Sequence, residues 1–500
     1  MRHPQRRVAQ GRTLRPVLST AALLGILSVM PLVLRPSQPQ IYYLALLLGG
    51  LTLLPLVVRI GAGTLDLFEP VIPISLLITL AYSLRAMYVA YVPGSVAFGR
   101  LPYDDRIAGA LGLTIAAYIA LLSGYYVLAG PIRVRPLAAR SFAGRRWALR
   151  AELWKIVVLL GIGAYATRVA TATDFGIVTG STTVIGLALG LVQLTACVLA
   201  LHIAAGDRRL WLKVAVLGIA LPLAALQSLA FGGKVYILGF VYVLIAARHY
   251  VSRRLDPRMA FAIGAVAALA VFPTINIFRD ADVTGKTSLL DRAADMQNQL
   301  RQMTAQEYVQ FAGENLLTRS NGVDALALSM KYDVSKELGN PTAYAYIPIY
   351  AFIPRVIWPD KPVLDQGVRF GRLLLVGGLE GANSLTSFGM YHIGDLYVSF
   401  GMMGLLVGMC AMGFMFRVMY KFLDPLHTPD LGVKFLYILA LWAMVSGFET
   451  DVPTVYANLL KVLLVWIAIK MWLAPSASAV VLHRLPFRPH PSPVPPGLSR

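Results

Sequence analysis

Apolar stretches long enough to cross a lipid bilayer recur along almost the whole of this chain, and they limit it to folds that use the bilayer as solvent. A hydrocarbon core of about 30 Å takes roughly 20 apolar helical residues to span. Such runs occupy residues 17–34, 41–58, 70–92, 107–130, 154–173, 178–204, 212–230, 234–247, 259–278, 396–416, 435–450 and 454–473. The expected architecture is therefore an all-α polytopic membrane bundle of about 12 spans. The run after Phe231-Gly232-Gly233 is the weakest, being short and opening on Lys234. Composition agrees: 57% of residues are hydrophobic and 14% charged, against about 25% charged in a soluble domain.

The net charge of +20 would suggest nucleic acid in a soluble protein, but its placement argues against that partner. Arg2, Arg6, Arg7, Arg12 and Arg15 precede the first run, and Arg133, Arg135, Arg140, Arg145, Arg146 and Arg150 follow the fourth. Arg208, Arg209 and Lys213 lie after the sixth, and Arg248, Arg253, Arg254 and Arg258 after the eighth. If the spans alternate, all four groups share one side. This is the positive-inside signature of a bacterial inner-membrane protein with both termini cytoplasmic. Arg35-Pro36-Ser37-Gln38 after the first run offers no cleavage pattern, so that run reads as an uncleaved anchor. Cys197 and Cys410 fall in separate runs and give neither a disulfide framework nor a metal site.

The runs divide the chain into a bundle of about nine spans (1–278), a long outer loop (279–391), three further spans (392–473) and a proline-rich cytoplasmic tail (474–500) expected to be disordered. The loop holds 11 Lys+Arg and 12 Asp+Glu, nearly half of the chain's 25 carboxylates. A loop this long and polar is functional or disordered, and its apolar periodicity favours order. The spacing predicts one helix over 288–311 and a second over 314–331. The stretch after Asn340-Pro341, with prolines at 348, 354, 359 and 362, predicts a re-entrant or interfacial segment. Its Tyr344, Tyr346, Tyr350 and Trp358 suit the lipid headgroup level; they suit stacking on sugar rings as well.

No phosphate-binding P-loop, zinc-protease or serine-hydrolase motif is present. What the outer side offers is cations near membrane depth: Lys234, Arg279, Arg319, Arg355, Lys361, Arg369 and Arg372. Interfacial anchoring on lipid phosphates accounts for such residues in general. Arg319, predicted mid-helix, and Arg355 are set in apolar sequence, where a charge calls for a partner. A diphosphate fits a guanidinium fork, and Asp324 is close enough in sequence to hold Arg319. His392 and Asp395, at the mouth of the tenth run, are candidates both for deprotonating a hydroxyl and for a structural role. Glu449 reads as a helix-end residue. Arg85, Arg168 and Lys461 fall at or near membrane depth.

The segment AFIPRVIWPDKPVLDQGVRFG (351–371), followed by NSLTSFGMYHIGDLYVSFGMMG (383–404), resembles the Wzy-type oligosaccharide repeat-unit polymerases of O-antigen and exopolysaccharide synthesis. Pro354, Arg355, Pro359, Lys361 and Pro362 match one element of that family's pattern. Thr386, Gly394, Tyr397, Phe400, Gly401 and Gly404 match a second, with Asp395 where the family has glutamate. The resemblance implies a metal-independent inverting glycosyltransferase without cofactor, facing the periplasm and acting on undecaprenyl-diphosphate-linked oligosaccharides. It further implies a chain-length-regulating membrane protein as partner. On it, Arg319, Arg355, Lys361, Lys234 and Arg279 would hold the departing diphosphate, Asp395 or His392 would be the base, and Tyr350, Trp358 and Tyr397 would contact sugar.

Other classes remain to be weighed. Lipid-linked-sugar glycosyltransferases of the GT-C class carry acidic residues in the first outer loop, whereas residues 35–40 here contain none. An O-antigen-ligase-like transferase shares the donor chemistry and the architecture. A transporter of lipid-linked sugars would call for inverted repeats and broken helices in matching halves, and the single late insertion offers neither.

Overall fold

The computed structural model describes residues 25, 28–30, 35–94, 104–137, 151–172, 182–230, 234–252, 254–280, 289–353, 358, 366–375 and 389–473, and all regular structure among them is helical. Among the described residues, the helices that precede the long loop include Pro39–Gly61 (α1), Val71–Tyr91 (α2), Ile107–Leu128 (α3), Leu153–Ala172 (α4), Thr182–Ala204 (α5), Leu210–Ala230 (α6), Val235–Val251 (α7) and residues 257–280 (α8). The loop carries Leu289–Gln302 (α9), Ala305–Arg319 (α10), Gly322–Tyr332 (α11), Ser335–Leu338 (α12), Pro341–Phe352 (α13) and Gln366–Leu375 (α14). Tyr391–Leu423 (α15), Leu431–Ser446 (α16) and Val452–Leu473 (α17) follow.

Among the described residues, seven helices are long and apolar enough to cross a membrane: α1, α2, α3, α6, the Pro257–Ile275 part of α8, α15 and α17. These are seven of the about twelve expected. Shorter apolar stretches of described residues lie at Ala188–Ala204 within the 23-residue α5, at Val235–Val251 (α7) and at Leu431–Ser446 (α16); 17 residues make about 26 Å at 1.5 Å per residue. Most of the first run, 17–34, lies outside the described residues, as does the tail from 474.

The bundle is held by close backbone approach as well as by apolar side chains. α3 and α15 pack so tightly that a Cβ on Gly124 would lie 1.9 Å from the Cys410 carbonyl oxygen, and one on Gly413 would lie 2.0 Å from that of Leu121. Small residues perform this service between membrane helices, where the lipid is as apolar as any side chain and contact area must come from approach. α2, α3, α6 and α8 each contain a π-helical stretch; that of α2, Thr79–Leu84, leads directly into Arg85.

The loop folds into short helices divided differently from the pattern expected of it. A capping box ends the expected 288–311 helix: Glu307 N donates to Thr304 Oγ1 (3.2 Å) while Thr304 N donates to the Glu307 carboxylate (2.7 Å), and α10 begins there. Two orphan donors are satisfied reciprocally, and a chain that can do so starts a new helix. Ser320 and Asn321 break the second expected helix, so Arg319 is the last residue of α10 and not a mid-helix residue. Pro341 opens α13 behind Asn340, whose Oδ1 accepts from Ala343 N (3.1 Å) and Thr342 Oγ1 (2.8 Å). α11 is buried on nearly every side over residues 322–329 and packs on α2, α3 and α15.

At 33 residues α15 would be about 50 Å long if straight, well beyond the thickness of a bilayer. Its backbone leaves helical geometry at Gly401 (φ 68°, ψ −166°), a conformation essentially confined to glycine. The break separates residues 391–400, which pack among the loop helices, from a stretch of spanning length. Nothing lies within 4 Å of a Cβ added at Gly401, so replacing it tests backbone strain alone. Gly401→Ala is expected to cost about 1–3 kcal/mol, read as a lower unfolding midpoint of the purified protein in detergent.

Candidate functional site

One buried ion pair fastens the loop to the bundle. Arg85, in α2, donates from Nε and Nη2 to the two carboxylate oxygens of Asp324, in α11, at 2.9 and 3.0 Å. Both side chains are 0% exposed. A bidentate guanidinium–carboxylate contact fixes orientation as well as distance. Gly322 lets α11 approach: a Cβ there would meet the Tyr82 ring at 2.7 Å. Tyr82 in turn packs edge-on against Tyr391 at 5.8 Å, joining α2 to the start of α15. Arg85 thus holds Asp324; the side chain of Arg319, which Asp324 was expected to steady, lies outside the described residues.

The start of α15 is laced to the turn between α16 and α17. Tyr391 N and His392 N donate to the carbonyls of Glu449 and Phe448, both at 3.2 Å. First-turn donors of a helix have no partner within it, and these two find theirs in that turn. The His392 ring lies 4.9 Å from that of Phe448, with its Nδ1 3.2 Å from the Thr450 carbonyl. Asp395, fully buried, accepts from the Tyr344 hydroxyl of α13 (2.6 Å) and from Val452 N at the head of α17 (2.8 Å). An anion at a helix N-terminus is favourably placed, so Asp395 ties α13, α15 and α17 together. Burial first, and the adjacent Asp395 carboxylate second, push the Tyr344 hydroxyl well above its ordinary range. It is a neutral donor at any physiological pH.

Lys234, half-buried ahead of α7, comes within electrostatic reach of Glu449. Glu449 is exposed. His392 and Asp395 thus meet the turn at residues 448–452, with Lys234 within electrostatic reach of Glu449 in that turn. Tyr397 is half-buried against the same core, and Trp358 is half-buried. Arg355 and Lys361 lie outside the described residues, as do the side chains of Arg279, Arg319 and Tyr350. The backbones of these last three sit in α8, α10 and α13, and α8 packs on α10. Among the described residues no group of His, Cys, Asp and Glu is placed to hold a metal ion.

The opposite end of the bundle holds a second polar cluster that the sequence reading passed over. Asp66, between α1 and α2, accepts from Tyr420 (2.7 Å), Tyr250 (3.1 Å) and Phe68 N (3.0 Å), and lies 3.1 Å from His249 Nε2. His249 Nδ1 accepts from Leu255 N (3.0 Å), which leaves Nε2 to carry the proton toward Asp66. Glu69 engages Arg59 and Arg417, each at 2.7 Å, and the Tyr125 hydroxyl at 2.8 Å. The available signal was two carboxylates in a short connection on an otherwise basic side. Burial pushes the Asp66 carboxyl up, but the adjacent His249 ring and the hydrogen bonds from Tyr420 and Phe68 outweigh it and hold the group below the ordinary carboxylate range.

Fold and sites together define an all-helical membrane protein with a helical cap at one end of its bundle. Residues 153–427, more than half of the chain, match the family described as a domain of unknown function, DUF8712, and the chain belongs to that family. No curated protein and no solved structure matches it.

Two stability measurements follow. Asp324→Ala or Arg85→Ala strands one buried charge and is expected to cost about 3–5 kcal/mol. The double Arg85→Met, Asp324→Leu variant should recover much of that in unfolding midpoint and membrane level. For Asp66, the stability supplied by a depressed pKa is fully present above the unfolded value of about 4, and it is lost as pH falls through the folded value. Asp66→Asn should therefore lower the midpoint at pH 7 and lessen its fall in acid.

Proposed function

We propose that this protein joins undecaprenyl-diphosphate-linked oligosaccharide repeat units into a longer surface or exopolysaccharide glycan at the periplasmic face of a bacterial inner membrane. The reading includes both termini in the cytoplasm and about 12 spans in all, the shorter apolar helices included. The observation that carries it is the convergence at the loop end of the bundle. The turn at residues 448–452 grips His392 and Asp395, the predicted bases, the polymerase-like motif leads directly into that start of α15, and Lys234, a predicted diphosphate ligand, is within electrostatic reach of Glu449 in the same turn.

In this reading an acceptor hydroxyl attacks the anomeric carbon of the growing chain. The bond from that carbon to the diphosphate oxygen breaks with inversion, and the hydroxyl proton passes to Asp395 or His392. Lys234, Arg279, Arg319, Arg355 and Lys361 neutralise the charge that develops on the leaving diphosphate. Tyr350, Trp358 and Tyr397 offer aromatic faces to the sugars. Asp395 and His392 are both enclosed, so an acceptor reaches Asp395 only where Tyr344 gives way. A membrane protein that regulates chain length would act alongside.

The test is a glycan profile from a strain lacking the gene, complemented with wild type, Lys234→Ala, Arg319→Ala, Arg355→Ala or Asp395→Asn at matched membrane levels. Wild type alone is expected to restore long chains, with single repeat units accumulating in the others. Long polymer that forms without the protein but stays unattached to its acceptor would make it a ligase. Lipid-linked units retained on the cytoplasmic face would make it a transporter.

A further inference from the structure

At the end of the bundle opposite the loop, a cavity of about 360 Å³ is lined by Ile132, Arg133, Val134, Arg417, Tyr420, Lys421 and Asp424. It is an open recess between the last two turns of α15 and the segment that leaves α3. Ligand pockets run from about 300 to 1,000 Å³, so the space suits a small polar headgroup.

Its charge is unbalanced. Three cations line it against one carboxylate, and Asp424 already faces His427 at 2.7 Å. Arg417 shares Glu69 with Arg59, each at 2.7 Å, so two guanidinium groups divide one negative charge. Lys421 spends its donors on the carbonyls of Ala129, Gly130 and Ile132 at 2.9, 2.6 and 3.0 Å. Those contacts anchor it without neutralising it. Arg133 is exposed at the rim and has no carboxylate within ion-pair distance among the described residues. An anion is what this lining lacks.

The surroundings favour a lipid as its source. Tyr126, Val127, Leu128 and Ile132, beside the cavity, are large apolar residues left 38–67% exposed. They end a helix of membrane-crossing length, so apolar surface meets a cationic recess at the level where helix gives way to loop. The basic loops that follow α3 and α7 mark the same end as the one expected to face the cytoplasm, where the leaflet is rich in anionic lipid. A free phosphate would use the cations and leave the apolar face idle.

We propose that this cavity binds the phosphate headgroup of an anionic phospholipid from the cytoplasmic leaflet, with Arg133 and Arg417 contacting the phosphate and Lys421 supplying the field. The site stands apart from the loop end and does not depend on the glycan reading. Arg133 is the residue to vary first, because it is exposed and holds nothing else in place.

The experiment compares phosphatidylglycerol, phosphatidylcholine and inorganic phosphate added to the full-length protein in neutral detergent. Native mass spectrometry would count bound lipid, and the unfolding midpoint would report its effect. Phosphatidylglycerol is expected to bind and raise the midpoint, with Arg133→Gln weakening it about fivefold, as for the loss of one interfacial cation. Arg133→Gln combined with Arg417→Gln should weaken it further. Arg254→Gln, an exposed cation in the loop after α7, should leave binding unchanged. Equal binding of phosphatidylcholine, or an unchanged affinity in Arg133→Gln, overturns the site. Inorganic phosphate that matches phosphatidylglycerol in affinity overturns the lipid as its occupant. If the double variant fails to fold, Arg133→Gln alone decides the question.

Discussion

Arg85 and Asp324 stand 239 positions apart in the chain, and neither touches solvent. Removing two such ions from water costs several kcal/mol each in real proteins, recovered only when the geometry is close to ideal. Here the contact is bidentate, and it is the point at which the loop helices enter the bundle. α11 is apolar enough to be buried wherever it lands; the ion pair selects one depth and one rotation for it against α2. Once α11 is set, Gly322 can lie on Tyr82, Tyr82 on Tyr391, and the head of α15 falls into place. A purely apolar contact would permit sliding, and a fork on a carboxylate does not.

The head of α15 shows what that placement permits. Its unpaired first-turn donors are answered by carbonyls of the α16–α17 turn, and Asp395 answers the first donor of α17 while holding Tyr344. Each group completes the hydrogen bonding of another, as buried polar groups must. The polar clusters at the two ends of the bundle are built alike in this respect: Asp66 and Glu69 at one end, Asp324 and Asp395 at the other, each collecting donors from helices remote in sequence. They differ in charge. The cavity near Glu69 is left with an excess of cations, whereas around Glu449 carboxylates outnumber the cations described there.

Much of this was legible beforehand, and the failures have physical causes. The apolar runs located nearly every helix outside the loop, because hydropathy reads a free energy of transfer that is local. Span length was less legible: the runs of α7 and α16 form helices of 17 and 16 residues, somewhat shorter than about 30 Å of hydrocarbon. In the loop, the Thr304–Glu307 box and the Ser320-Asn321 break were present in the sequence but were overridden by apolar periodicity. The motif glycines find separate reasons. Gly401 takes a conformation that side chains resist, and a Cβ on Gly404 would overlap Phe400. The pairing of Arg85 with Asp324 left no local signal, because the two stand 239 positions apart.

The sequence by itself determined that the chain is helical, that it partitions into a membrane, and which stretch carries its polar chemistry, since all three follow from transfer energies and periodicities summed over neighbours. Only the tertiary structure decided which charges meet and that Asp395 fastens three helices. It also decided that the opposite end of the bundle holds a cationic recess. Hydrogen bonds weaken steeply beyond about 3.5 Å, so their partners are settled by position in space, and a linear order of residues does not contain it.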